Sequence, residues 1–157
     1  MDQEWQFLHD ALKSGLEDEI RLTRELLSNM RQEEVSLMLC DTGVLNQILQ
    51  QRSLMLERLS VLRLRRLQTT EKIEQIATVQ HKQPSLEEIL PLNEEISTEI
   101  LSLSDQLMAL TERMSRQHTQ NYRLTEHKEH HRYPPLQLAQ DVRPKRKASI
   151  ATYNLKK

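Results

Sequence analysis

The sequence predicts an all-α fold, a long antiparallel three-helix, coiled-coil-like bundle followed by a basic C-terminal tail. Three observations carry that expectation. Aromatic residues make up only 3% of the 157 residues, and there are just two glycines, Gly15 and Gly43. Leucine dominates the apolar set, and Glu, Gln, Arg and Lys dominate the rest; these side chains lose little rotamer freedom in a helix. Apolar residues recur at steps of three and four over long stretches. A mean hydropathy of -0.68 with 29% charged residues describes a wet surface over a thin seam, not a thick globular centre.

The first helix is predicted over residues 3–39. Its apolar stripe is Leu8, Leu12, Leu16, Ile20, Leu26, Leu27, Met30 and Leu37. Gly15 costs this helix about 1 kcal/mol relative to alanine, which its length tolerates. Trp5 stands where it can cap the end of the bundle. The run Cys40-Asp41-Thr42-Gly43 is a turn signal, with Asp41 or Thr42 as N-cap of the helix that follows.

That second helix is predicted over residues 44–79. Leu45, Ile48, Arg52, Met55, Leu59, Leu62, Arg66, Thr69, Ile73 and Ile76 alternate steps of three and four on one seam, the pattern of left-handed supercoiling. Arg52, Arg66 and Thr69 interrupt it. The expectation for such residues is a buried stem, a head that reaches water, and a role in setting register.

A break at His81–Pro84 and a capping box, Ser85-Leu86-Glu87-Glu88, introduce a third helix over residues 85–131, kinked or restarted near Pro91. Its seam is Ile89, Ile96, Ile100, Leu103, Leu107, Leu110, Met114, Gln117, Asn121 and Leu124, widened by Leu101 and Met108. The seam turns polar after Met114, so the far end is expected to pack weakly. Helices about 55–70 Å long joined by short connections favour an up-down-up order. The bundle is expected to occupy residues 1–132.

Tyr133-Pro134-Pro135 ends the third helix, and residues 133–157 read as a flexible basic tail, disordered when free. Residues 143–157 hold six of the 22 basic residues and none of the 23 acids, which leaves a formal charge of -7 on the first 142. An acidic body with a basic tail suggests two regions with different tasks.

Few residue types here point to chemistry. His127 and His131 share a helix face, yet nothing completes a four-ligand zinc site, and they read with His130 as a solvated helix end. The run Arg143-Pro-Lys-Arg-Lys lacks aromatic stacking partners, and the acidic body argues against nucleic acid as the main ligand. Arg146-Lys147-Ala148-Ser149 resembles a basic-directed phosphorylation site. Cys40 has no basic sequence neighbour to activate it and reads as a filler. The single cysteine, the absence of an 18-residue apolar run and an acidic start point to a soluble cytoplasmic protein. No catalytic set and no cofactor site is legible, so the chain is expected to be a non-enzymatic binding protein.

What remains is amphipathic surface. Leu101, Met108 and the flank near Leu124 are candidates to accept a partner's helix in a groove, or else to close the bundle or a homodimer.

The order of the pieces resembles the FlgN family of flagellar, type III export chaperones. The resemblance covers most of the chain. It rests on the long first helix, the turn Asp41-Thr-Gly-Val-Leu45, and the Arg-rich stretch from Leu56-Glu-Arg-Leu59 to Leu64-Arg-Arg-Leu67. It continues through the step Asn121-Tyr-Arg-Leu124 and a tail with Tyr133, Lys145-Arg146-Lys147 and Ile150. The family's tail often contains glycine and its Asn step is usually paired; this tail has no glycine, and Asn121 follows His118. The resemblance implies a cytosolic chaperone without ATP that binds helical terminal segments of secreted substrates, of the hook-filament junction type, and delivers them to the export apparatus. It places the client contact on Asn121, Leu124, Tyr133, Lys145, Arg146, Lys147 and Ile150. The competing expectation is a structural coiled-coil component or scaffold of a secretion machine.

Overall fold

The computed structural model describes the backbone of residues 2–80 and 94–127. Within these residues it is all helical, with α1 over Asp2–Leu39, α2 over Thr42–Gln80 and α3 over Glu94–His127. The Ser85 capping box, Pro91, the histidines His130 and His131 and the whole tail lie outside the described residues.

The turn between α1 and α2 follows from local chemistry. Cys40 sits at φ 56°, the left-handed conformation that commonly ends a helix. The amide of Cys40 donates to the Leu37 carbonyl (3.4 Å) and that of Asp41 to the Ser36 carbonyl (3.0 Å), so two orphan carbonyls of α1 are satisfied. Asp41 then opens α2: its Oδ1 accepts from the Val44 amide at 3.1 Å, and its carbonyl accepts from Leu45 at 3.0 Å. Asp41 is therefore the N-cap, and α2 starts at Thr42, two residues before the expected position.

Cross-helix contacts fix the directions. Glu19 meets Arg66 while Glu33 meets Arg52, so α2 runs antiparallel to α1. Lys13 meets Glu99 while Met30 and Glu33 meet Asn121, so α3 runs parallel to α1. This is the expected up-down-up order. Close backbone approach joins α1 to α2 and α1 to α3, whereas α2 and α3 come near each other very little. The first helix is the shared partner.

Its seam is longer than its leucines. Trp5, His9, Leu12, Leu16, Glu19, Thr23, Leu26, Met30, Glu33 and Leu37 alternate steps of four and three, and all ten are buried. A line of this kind faces a neighbour along its whole length. The apolar members from Trp5 to Met30 join Leu59 and Ile73 of α2 and Ile100, Leu107, Leu110 and Met114 of α3 in one core. Trp5 is part of that core and packs its ring 5.7 Å from His9, which closes the end of the bundle.

Candidate helix-docking surface

The polar residues of the interior decide which surfaces remain free. The Arg52 and Arg66 heads do not reach water as expected; both side chains are enclosed along their length. Arg66 Nε donates to Glu19 Oε2 at 2.6 Å and its Nη2 to Oε1 at 3.3 Å. Arg63 Nε, nearer the surface, donates to the same Oε1 at 3.3 Å. Arg52 Nε donates to Asn29 Oδ1 at 2.9 Å, and Asn29 Nδ2 donates to the Ile48 carbonyl at 3.0 Å. Arg52 Nη2 lies 2.5 Å from Glu33 Oε2 without an aligned N–H, so that contact is an ion pair more than a hydrogen bond. A guanidinium cannot shed its proton, so in a seam it requires a carboxylate partner.

The far end of α3 is likewise held, not weakly packed. Asn121 is fully buried; its Nδ2 donates to the Met30 carbonyl at 2.8 Å and to Glu33 Oε2 at 2.7 Å. Gln117 donates to Glu34 Oε2 at 2.7 Å and to Asn121 Oδ1 at 3.0 Å, and Gln120 donates to Glu34 Oε1. Asn29, Glu33, Arg52 and Asn121 thus form one cluster that touches all three helices. The seam does turn polar after Met114, and hydrogen bonds replace hydrocarbon there.

Of the residues expected at a client contact, Asn121 is spent inside this cluster and Leu124 is half-buried on α3. Tyr133, Lys145, Arg146, Lys147 and Ile150 lie outside the described residues. The structure therefore brings Asn121 together with α1, away from solvent. Sequence reasoning missed Glu19, Asn29 and Glu33. A signal for the two acids is nonetheless present: they stand fourteen residues apart on α1, and Arg52 and Arg66 stand fourteen apart on α2.

Three surfaces border the seam. One is a groove between α1 and α2, lined by Asp18, Arg21, Leu22, Glu25, Arg58, Val61 and Leu62. A second lies between α1 and α3, lined by Lys13, Glu17, Thr98, Glu99, Ser102, Leu103 and Gln106. There Lys13 Nζ is 2.5 Å from Glu99, and the hydrogen bond to that carboxylate raises the lysine pKa. The third surface is the flank where α2 and α3 face one another across α1. At 3.6 residues per turn, Leu101 and Met108 lie on the side of α3 away from its groove, and Leu49 and Leu56 on the side of α2 away from its own. All four are half-buried, and Leu56 packs against the core. Among the described residues α2 and α3 make few close backbone contacts, and these four side chains lie along the flank between them.

Among the described residues, no group of three or more His, Cys, Asp or Glu side chains is placed to hold a metal ion. Cys40 is exposed at the turn. His9 is buried beside Trp5, and burial pushes its pKa down while the Asp10 carboxylate pulls weakly the other way. No helix of the described residues is long and apolar enough to cross a membrane. No family model, curated protein or solved structure matches the chain.

Proposed function

We propose that the protein is a FlgN-like export chaperone that binds helical terminal segments of secreted substrates in the cytoplasm, prevents their premature assembly and delivers them to the export apparatus. The single observation that supports this reading is how little α2 and α3 approach each other among the described residues. A long bundle whose outer helices both lean on α1 leaves room for one more helix, and Leu49, Leu56, Leu101 and Met108 offer the apolar anchors such a helix needs. Helix-in-groove binding requires no cofactor and no catalytic group. Leu124, three heptads beyond Leu103, lies on the other side of α3 and is not part of this flank; Tyr133, Lys145, Arg146, Lys147 and Ile150 would clasp the bound segment. Asn121 takes a different part from the one the resemblance implies: it holds α3 on α1, so that the flank keeps its shape.

The test is a pull-down from the producing cell with three proteins: the full chain, the chain cut after Arg132, and Leu101→Glu/Met108→Glu. Retention of a secreted helical protein by the full chain, with loss in the double variant, supports the chaperone. Loss on truncation assigns part of the contact to the tail. Retention by all three of machinery alone, such as an ATPase or ring subunit, replaces this reading with that of a structural coiled-coil component.

A further inference from the structure

The face of α1 turned away from both neighbours carries a second regular line. Gln3, Phe7, Asp10, Ser14, Glu17, Arg21, Arg24, Ser28, Arg31, Val35 and Met38 alternate steps of four and three, as a seam does, yet all eleven are exposed. Phe7 is 71% exposed, Val35 55% and Met38 62%, so each end of the line carries apolar surface. The charges along the line are sorted. Acids, Asp10 and Glu17, occupy the first half, and bases, Arg21, Arg24 and Arg31, the second. Among the described residues, no carboxylate lies within ion-pair distance of Arg24 or Arg31.

The line is self-complementary under one operation. A two-fold axis through Arg21 sets Phe7 against Val35, Asp10 against Arg31, Ser14 against Ser28 and Glu17 against Arg24 of a second, antiparallel α1. Arg21, which would meet its own copy on the axis, is already neutralised by Asp18 at 2.5 Å. The two serines, opposite each other on either side of the axis, let the helices approach closely. A parallel pairing would instead set acid against acid and base against base, which is costly where charges are desolvated.

We propose that this face of α1 binds a second copy of the chain, making an antiparallel two-fold dimer about Arg21. The interface is isologous, as a two-fold requires. It does not use the α2–α3 flank of either copy, so it stands or falls independently of the chaperone reading. Ion pairs at an exposed seam are screened by salt, so the dimer weakens as ionic strength rises.

The experiment is a charge swap followed by sedimentation equilibrium at low salt, on the full chain carrying Cys40→Ser. The parent protein is expected to dimerise. Asp10→Arg/Glu17→Arg alone and Arg24→Glu/Arg31→Glu alone should each self-associate at least roughly tenfold more weakly, since each sets like charges face to face. An equimolar mixture of the two variants should restore the dimer, because every opposed pair is then of opposite sign. In the same background Arg21→Cys alone should oxidise to a covalent dimer, and Ser14→Cys alone should not. Circular dichroism of each variant reports whether α1 has stayed helical. A parent chain that stays monomeric overturns the proposal. So does a mixture that fails to associate, or a dimer that Arg21→Cys does not cross-link.

Discussion

From Trp5 to Leu16, α1 meets its neighbours almost wholly through hydrocarbon, with His9 the one polar side chain on the seam. From Glu19 to Leu37, Glu19, Thr23, Asn29, Glu33 and Ser36 interleave with Leu22, Leu26, Met30 and Leu37, and all of them are buried. Both stretches are equally enclosed, but they hold the bundle differently. Leucines against leucines are indifferent to a slip of one heptad. A carboxylate that must find a guanidinium is not, because a shifted register buries both charges unpaired. Glu19–Arg66 and Glu33–Arg52 share one alignment, so both pairs are satisfied together or neither is. The apolar stretch supplies adhesion and the polar stretch supplies register.

The sharpest way to break this contrast is to remove one charge of the polar cluster. Arg52→Ala leaves Glu33 buried with one hydrogen bond, from Asn121, and should cost about 3–5 kcal/mol in urea unfolding followed by circular dichroism. Arg52→Leu combined with Glu33→Leu should cost far less than the single loss, since no buried charge is stranded. A double variant as unstable as the single one would show that the pair contributes adhesion after all. In the apolar stretch, Leu12→Ala should cost about 2–5 kcal/mol by the same measurement, through lost burial and an unfilled cavity. Asn121→Ala, which removes the link from the cluster to α3, should cost about 1–3 kcal/mol. Part of that cost should persist in a background already lacking Glu33, because the bond to the Met30 carbonyl survives there, and a double-mutant cycle measures the coupling.

His9 gives the apolar stretch a pH dependence of its own. Its folded-state pKa lies below 6.5, so below pH 6.5 the unfolded chain takes up a proton that the folded chain refuses. Its contribution is thus neutral above that pH. Stability should fall as pH drops through 6.5, by no more than about 1.4 kcal/mol per pH unit, until the folded imidazole itself protonates. The difference between parent and His9→Phe melting curves across pH 5 to 8 isolates this effect, and a flat difference would mean the ring is not closed off. The smallest change expected is at the turn. Cys40→Gly relieves an L side chain of its left-handed backbone and should stabilise by about 1 kcal/mol.

Much of this architecture is legible in the order of the residues. All ten seam positions of α2 from Leu45 to Ile76 are buried or half-buried, because a strict heptad line has one way to avoid water. The Asp41 turn follows from cap chemistry. Harder to read are the polar members of the α1 seam. A glutamate is as common on a solvated helix face as anywhere, and only the partner helix shows that Glu19 and Glu33 point inward. The matching intervals of fourteen residues become informative once α2 is known to run antiparallel. Asn121 stands out in the sequence, but its role does not: an amide on a polar stretch of seam looks the same whether it meets a client or Glu33. That the described parts of α2 and α3 approach each other so little is encoded by no local pattern.

Because the close pairings among the described helices all run through α1, order of synthesis matters. A ribosome delivers α1 and α2 complete before α3 has emerged, and contacts between neighbouring helices form first. The nascent hairpin can already close its two buried arginine pairs, Arg66 on Glu19 and Arg52 on Glu33. Until α3 arrives, however, Ile20, Leu27 and Met30 lack part of their cover, and Glu33 lacks the amide of Asn121. A chain stalled or cleaved after α2 is therefore a formed hairpin with one sticky side, a natural target for cellular quality control.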